Sequence, residues 1–251
     1  MNARVLGVAA VAALLFSCIG AASAEAAGTP RHLVYGFTWG TQTDLETLTS
    51  GIGSGGASGA TGSSGTSDSK GGIGDQGTIV VDVVAEQPDK GLVIKVSEQA
   101  EKTRSAGAAT CVVYGSTGVI CDPNATVNPE EMALIRFLAS NFVDPASIDA
   151  NQHWKIQNST PQYSLTADYA IVKNAGGMMT INESRQIKQT QPAIVTTNVT
   201  TTIDYDFNRM LPTSVNEYSI ERNRAGMDQY QTVKTQTVLV LKSDSSAANK
   251  G

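Results

Sequence analysis

Alternation of apolar and polar residues is the strongest pattern in this chain. A period of two is typical of a β-strand that buries one of its faces. The run from Ile194 to Phe207 keeps this period throughout, with Thr, Asn and Asp opposite Val, Ile, Tyr and Phe. Similar runs predict further strands, and they occupy residues 31–48, 78–86, 91–97, 163–171, 215–222 and 229–242.

The period changes to that of a helix after Asn128. Asn128 suits an N-cap, Pro129 suits the first helical position, and the two glutamates that follow suit the first turn. Apolar residues then recur at helical spacing, and Asp144-Pro145 predicts the end of the helix. Four of these residues are the expected lining of any ligand cavity between helix and sheet: Met132, Ile135, Leu138 and Phe142.

Together the two patterns predict a mainly β (α+β) fold. We expect a long-stranded antiparallel sheet of about ten strands, curved or rolled into a half-barrel, with one principal helix packed on it. In architecture alone, this layout resembles the periplasmic lipoprotein carriers. The resemblance implies a fold and assigns no site residue, because one fold serves many functions.

Two polar stretches are expected to lie outside the packed structure. Residues 50–77 are dominated by Gly, Ser, Thr and Ala, a composition that buries too little surface to offset the entropy of ordering. We predict a disordered loop there, inside a single β-rich domain that spans residues 25–251. The alternative is a linker that follows a short N-terminal arm. Residues 243–251 are predicted to be a frayed tail.

The first 24 residues have the pattern of a secretory signal peptide. Arg4 precedes an apolar stretch from Val5 to Phe16, and Ala22-Ser23-Ala24 forms a small-x-small cleavage site. We therefore expect an exported protein, periplasmic or extracellular, with residues 1–24 removed. The alternative is a lipid anchor at Cys18, which ends a partial lipobox. No second apolar segment has spanning length, so no transmembrane segment is expected in the mature chain.

The other two cysteines predict a disulfide. Cys111 and Cys121 flank a turn-like stretch, residues 115–118. If a three-residue loop joins the two strands, residue 114 faces 118 and Cys111 faces Cys121. Opposed Cβ atoms lie about 4.5–5.5 Å apart, which is near disulfide range. Export to an oxidising compartment favours the bond, and the alternative is a pair of buried free thiols.

Charge argues against two classes of partner. The formal net charge is −5, and no basic stripe runs along the chain. Nucleic acid and anionic lipid surfaces both require a basic face, so neither is expected as an electrostatic partner.

Motifs for catalysis, metals and cofactors are weak. His32 and His153 are the two histidines, and they lie on different predicted strands without ligands at zinc spacing. The G-x-G-x-x-G pattern at 51–56 lacks the strand and helix that a dinucleotide site requires. We predict no enzyme, no cofactor and no metal site. The strand carboxylates are interpreted as a solvated polar face: Asp168, Glu183, Asp204 and Asp206.

Two functions remain from the sequence. The first is a cell-envelope protein that binds an apolar ligand or lipid between helix and sheet, which requires an unfilled cavity there. The alternative is a structural or interaction protein of the periplasm or cell surface, without a small-molecule ligand and with an envelope protein as its partner. That function predicts a filled core and an exposed apolar patch or a free strand edge.

Overall fold

The computed structural model describes residues 31–47, 70–87, 91–102, 107–114, 118–138, 151–191, 193–224 and 229–245. Within these residues, eleven antiparallel strands form one open sheet, accompanied by one α-helix. The predicted mainly β class, with about ten long antiparallel strands and a single helix, is confirmed at this level.

The elements follow one another with short connections. The first five strands are β1 (Arg31–Thr47), β2 (Lys70–Gln87), β3 (Gly91–Ala100), β4 (Ala109–Tyr114) and β5 (Gly118–Cys121). Helix α1 (Pro129–Ile135) comes next. The last six strands are β6 (His153–Thr160), β7 (Tyr163–Ala175), β8 (Met178–Gln189), β9 (Val195–Asp206), β10 (Leu211–Arg224) and β11 (Gln229–Asp244).

Strand β1 lies in the middle of the sheet, between the second strand and the last. The order across the sheet is β5-β4-β3-β2-β1-β11-β10-β9-β8-β7-β6. The β1–β11 ladder runs from Leu33 opposite Asp244 to Thr47 opposite Gln229. All other neighbours are consecutive in sequence, so two meanders meet at β1. The two edge strands, β5 and β6, are joined by the segment that contains α1.

One face of the sheet is buried, and we call it the buried face; the opposite side is the outer face. The alternation seen in the sequence produces this difference, because successive side chains point to opposite faces. Tyr35 shows how closely the buried face is packed: it is fully buried and its hydroxyl donates to the carbonyl oxygen of Pro212 at 2.8 Å. The largest buried apolar side chains of the sheet include Leu33, Phe37, Ile79, Ile94, Ile181, Ile203, Tyr205 and Leu239.

Helix α1 begins as predicted and ends earlier than predicted. Asn128 is the N-cap, Pro129 follows it, and the Glu131 carboxylate accepts a hydrogen bond from the Asn128 backbone N–H at 2.8 Å. The helix stops at Ile135, so a stripe that assumes a longer helix does not continue. Met132 is 37% exposed, whereas the buried residues Ala133, Leu134, Ile135, Phe137 and Leu138 belong to the same hydrophobic cluster as the sheet.

Two predicted boundaries are corrected by strand pairing. Residues 70–77 belong to β2, where Gly77 lies opposite Phe37, and Asp244 belongs to β11. Backbone pairing with β1 orders both segments despite their polar composition. Gly77 also suits its place, because a Cβ there would lie 2.1 Å from the carbonyl oxygen of Gln99. The predicted signal peptide, Cys18, residues 50–69 and residues 246–251 lie outside the described residues.

The disulfide prediction is confirmed. Strands β4 and β5 form a hairpin in which Tyr114 lies opposite Gly118 and Cys111 lies opposite Cys121. A disulfide joins the two cysteines. Cys111 is fully buried, so the bond ties the short edge strand β5 to the hydrophobic core. Such a bond is consistent with an oxidising, exported location.

We expect the double substitution of Cys111→Ala and Cys121→Ala to lower the free energy of unfolding by about 2–3 kcal/mol. The estimate follows from the closure entropy of a loop of about ten residues. Urea denaturation of the oxidised protein and of the double variant measures the difference. Reducing agent should destabilise the wild type and leave the variant unchanged, and an unchanged wild type would contradict the prediction.

Candidate functional site

A row of polar and aromatic residues crosses the buried face from β1 to β6. The register aligns its members as direct neighbours on adjacent strands. We call it the polar row, and it consists of Trp39, Thr237, Glu217, Thr201, Glu183, Tyr169 and Trp154. Its last two members stack with ring centroids 4.9 Å apart.

The residue that follows α1 holds the polar row together. Arg136 donates to Glu183 at 2.7 Å, to Thr201 at 3.3 Å, and to Glu217. Its guanidinium group therefore contacts β8, β9 and β10 at once. The same group lies 4.1 Å from the centroid of the Phe137 ring. Each donated bond goes to a residue of the sheet, so the network fixes the end of α1 against the buried face.

Charges in this network balance. Two arginines, Arg136 and Arg185, face two glutamates, Glu183 and Glu217, and all four side chains are largely buried. Burial by itself would raise the pKa of Glu183, but the charges of Arg136 and Arg185 outweigh it and hold that pKa at about 2. Glu183 also accepts hydrogen bonds from Tyr169 at 2.9 Å and from Thr201 at 2.6 Å.

The polar row separates two unlike parts of the buried face. On one side the adjacent row, which includes Phe37, Leu239 and Val215, is almost fully buried and apolar. On the other side the adjacent row contains Thr41, Thr235 and Ser219, which are only half-buried. The hydrophobic core is therefore closed at one end of the strands and gives way to a polar, partly open hollow at the other.

A cavity of about 590 Å³ occupies this hollow beside the start of α1. Trp39 and Val233 supply apolar wall, and three glutamates supply carboxylates. The remaining wall is mostly Thr and Ser hydroxyls from β1, β10 and β11. The lining residues are Trp39, Thr41, Asn128, Pro129, Glu130, Glu217, Ser219, Glu221, Val233, Thr235 and Thr237.

Three buried glutamates lie together at the start of α1. Glu98, Glu130 and Glu131 are 4%, 6% and 0% exposed, and Glu98 accepts a hydrogen bond from the Asn128 side chain at 3.0 Å. Burial raises the pKa of Glu98 to about 7, and the nearby Glu130 charge raises it further. Burial likewise raises the pKa of Glu131 to about 7 and raises that of Glu130.

The predicted cavity lining differs from the residues that line this cavity. Ile135 and Leu138 are buried in the hydrophobic cluster, Met132 is at the surface, and Phe142 lies outside the described residues. Glu183 was interpreted as part of a solvated polar face, and that interpretation is wrong: its side chain is fully buried beside Arg136.

The other strand carboxylates have partners near the surface or outer face. Asp168 pairs with Lys155 at 3.3 Å, and Asp204 accepts hydrogen bonds from Thr180 and Ser214. Asp206 pairs with Arg209 at 2.6 Å. The signal for the buried network was present in β8, where Glu183 and Arg185 interrupt an otherwise apolar alternation.

The described residues offer few groups for other chemistry. His32 forms an exposed pair with Asp82, with 2.6 Å between Nδ1 and Oδ1. In the described ranges, no group of three or more His, Cys, Asp or Glu side chains is placed to hold a metal ion. None of the helices in this part of the chain is long and apolar enough to cross a membrane.

Comparison with known proteins gives little. No protein-family model and no curated protein matches the chain. A search of solved structures returns lipovitellin, from a structure concerned with lipid–protein interactions in lipovitellin. The TM-score is 0.45 at 9% identity, over 85% of this chain and 25% of the lipovitellin chain. A likeness this distant does not inform the function of the present protein.

Removal of Arg136 should be costly. We expect Arg136→Met to lower the free energy of unfolding by about 3–5 kcal/mol, because it leaves buried carboxylates without their main partner. Urea denaturation measures the loss. Lys155→Met is the matched control, since its pair with Asp168 is half exposed and should contribute at most about 1 kcal/mol. Equal small effects of both substitutions would contradict a structural role for the network.

The three buried glutamates should make stability depend on pH. Their pKa values are raised from 4.5 in the folded protein, so between about pH 4.5 and 7 the folded state holds protons that the unfolded chain has released. The free energy of unfolding should therefore fall as the pH rises through this interval. Urea midpoints at pH 5, 6, 7 and 8 measure the slope.

A substitution in the cluster tests the cause of that slope. Glu98→Gln keeps an acceptor for Asn128 and removes one titrating group, so it should flatten the dependence on pH. Glu86→Gln, at an exposed position of β2, should leave the slope as in the wild type. A wild-type stability that is flat or rises from pH 5 to 8 would count against the prediction.

Proposed function

We propose that this is an exported cell-envelope protein that binds an amphipathic, lipid-like ligand between α1 and the sheet. In this proposal the sheet curves as a half-barrel, α1 covers part of its buried face, and the ligand occupies the hollow beside the helix. The observation that carries the proposal is the cavity of about 590 Å³. Ligand sites in proteins usually enclose about 300–1,000 Å³.

The walls of the cavity suit a ligand with an apolar and a polar part. Trp39 and Val233 offer apolar surface, and the half-buried threonines on β1 and β11 add methyl groups. Glu221 and Ser219 offer polar groups at half-buried positions of β10. An apolar chain gains most from the first set, and a polar head group can bond to the second.

The network around Arg136 supports a preformed site. It fixes the end of α1 against three strands, so the hollow beside the helix does not depend on a ligand to hold it open. A rigid wall lowers the entropy that a ligand loses on binding, because fewer protein groups become ordered.

Binding is proposed in preference to catalysis. None of the residues that line the cavity is a histidine or a cysteine. Glu217 is paired with Arg136 and Arg185, which leaves it poorly suited to accept a proton from a substrate.

The alternative is a structural or interaction protein of the periplasm or cell surface. The observation in its favour is β6, an edge strand of eight residues that pairs with β7 on one side within the described sheet. Such an edge can add a strand from an envelope protein. In that case no small amphiphile should stabilise the protein.

A pair of adjacent substitutions separates the two functions. Ser219 faces the cavity, and Ile220 faces the outer side of the same strand. Lauric acid and lysophosphatidylcholine are suitable probes, added below their micellar concentrations. Binding should raise the melting temperature of the wild type, since a ligand at one hundred times its Kd adds about 2.7 kcal/mol.

We expect Ser219→Trp to fill the cavity and abolish this rise, whereas Ile220→Trp should retain it. Native mass spectrometry of the same samples reports whether a probe remains bound. Two outcomes would reject the binding proposal: neither probe raises the melting temperature of the wild type, or Ser219→Trp responds as the wild type does. The first would leave the structural alternative in front.

A further inference from the structure

The outer face of β8 to β11 carries a field of exposed polar residues that the proposed ligand cavity does not use. In one cross-strand row Asn182, Thr202 and Asn216 are neighbours, and in the next row Thr200, Tyr218 and Gln236 are neighbours. All of these side chains are exposed, and together they line a shallow hollow of about 420 Å³. We call this field the neutral face.

The neutral face has no charged residue among its members. A third row extends it with Gln186 and Asn198, also exposed and uncharged. The charges at its rim are already engaged: Lys234 pairs with Asp44 at 2.8 Å, and Asp168 pairs with Lys155. Soluble surfaces usually intersperse charges of both signs, so an uncharged field of this extent is unlike an ordinary solvated face.

Hydrogen bonds between strands hold the amide groups in place. Gln186 donates to Asn198 at 3.1 Å, Thr202 donates to Asn182 at 3.3 Å, and Gln236 donates to Asn216 at 3.4 Å. In each pair the acceptor amide keeps its NH₂ group directed to solvent. Two donor amides also keep their carbonyl oxygens. The face therefore presents fixed donors and fixed acceptors side by side.

Tyr218 lies at the centre of this face. It is 39% exposed, with Thr200 and Gln236 beside it on the neighbouring strands. An aromatic ring offers a flat apolar surface with one polar end. Among the residues of the three rows on β8 to β11 it is the aromatic one.

We propose that the neutral face binds an uncharged polysaccharide. Each sugar hydroxyl is both a donor and an acceptor, which matches a field of amides and hydroxyls that offers both. A pyranose ring carries C–H groups on its flat faces, and these can stack on Tyr218. The amides are held before binding, so less side-chain entropy is lost when the ligand docks.

The chemistry of the neutral face disfavours other occupants. A charged polymer would find no opposite charge to pair with, and its own charges would lose hydration. A protein partner or a second copy of this chain would normally bury an apolar centre, and the central residues here are polar. This inference is independent of the ligand cavity, which lies on the buried face.

Affinity electrophoresis of the full chain tests the proposal. The native gels contain laminarin, dextran or xyloglucan as neutral polysaccharides, with alginate as the charged control. We expect at least one neutral polysaccharide to slow migration, and alginate to leave it unchanged. Tyr218→Ala should weaken the binding at least fivefold, as truncation of a central aromatic contact does, whereas Tyr218→Phe should retain most of it.

Asn216→Asp adds a charge to the same face with little change in size, and it should also weaken binding. Ser219→Trp, which points to the buried face, should bind polysaccharide as the wild type does. The proposal fails if none of the three neutral polysaccharides slows the protein, or if Tyr218→Ala binds as well as the wild type. It also fails if Tyr218→Ala converts a dimer into a monomer in sedimentation equilibrium, because the face would then serve self-association.

Discussion

A buried guanidinium group determines how α1 and the sheet are arranged. Arg136 follows the helix directly, and its charge can be tolerated on the buried face only where carboxylates and hydroxyls surround it. Glu183, Thr201 and Glu217 supply them from three adjacent strands. The helix end must therefore lie over this point of the sheet and no other. The closed apolar core on one side, and the cavity on the other, both follow from that position.

The two faces of the sheet divide the chemistry of the molecule. The buried face combines an apolar core, a charge-balanced network and a polar cavity. The outer face of β8 to β11 combines amides, hydroxyls and one tyrosine. Alternation along each strand produces this division, since neighbouring residues such as Ser219 and Ile220 point in opposite directions. A single strand therefore contributes to two surfaces with different proposed ligands.

Sequence patterns predicted the fold class and the disulfide, because both depend on local periodicity. Strand alternation and the loop geometry between Cys111 and Cys121 are legible within a few residues. The site was not predictable in the same way. Arg136 and Glu217 are distant in sequence, and only the register of β8, β9 and β10 brings their partners together. The short helix was also missed, since apolar spacing does not show that Phe137 and Leu138 are buried in a turn.

The position of β1 has a consequence for how the chain reaches this state. Its ladder with β11 pairs Leu33 with Asp244, near opposite ends of the chain. Contacts of such long sequence separation make folding slow, because a large loop must close before they form. During synthesis, β1 lacks one of its two neighbours until almost the last residue has been made. The polypeptide should thus stay unfolded until translation ends, a state that a secretion channel can thread.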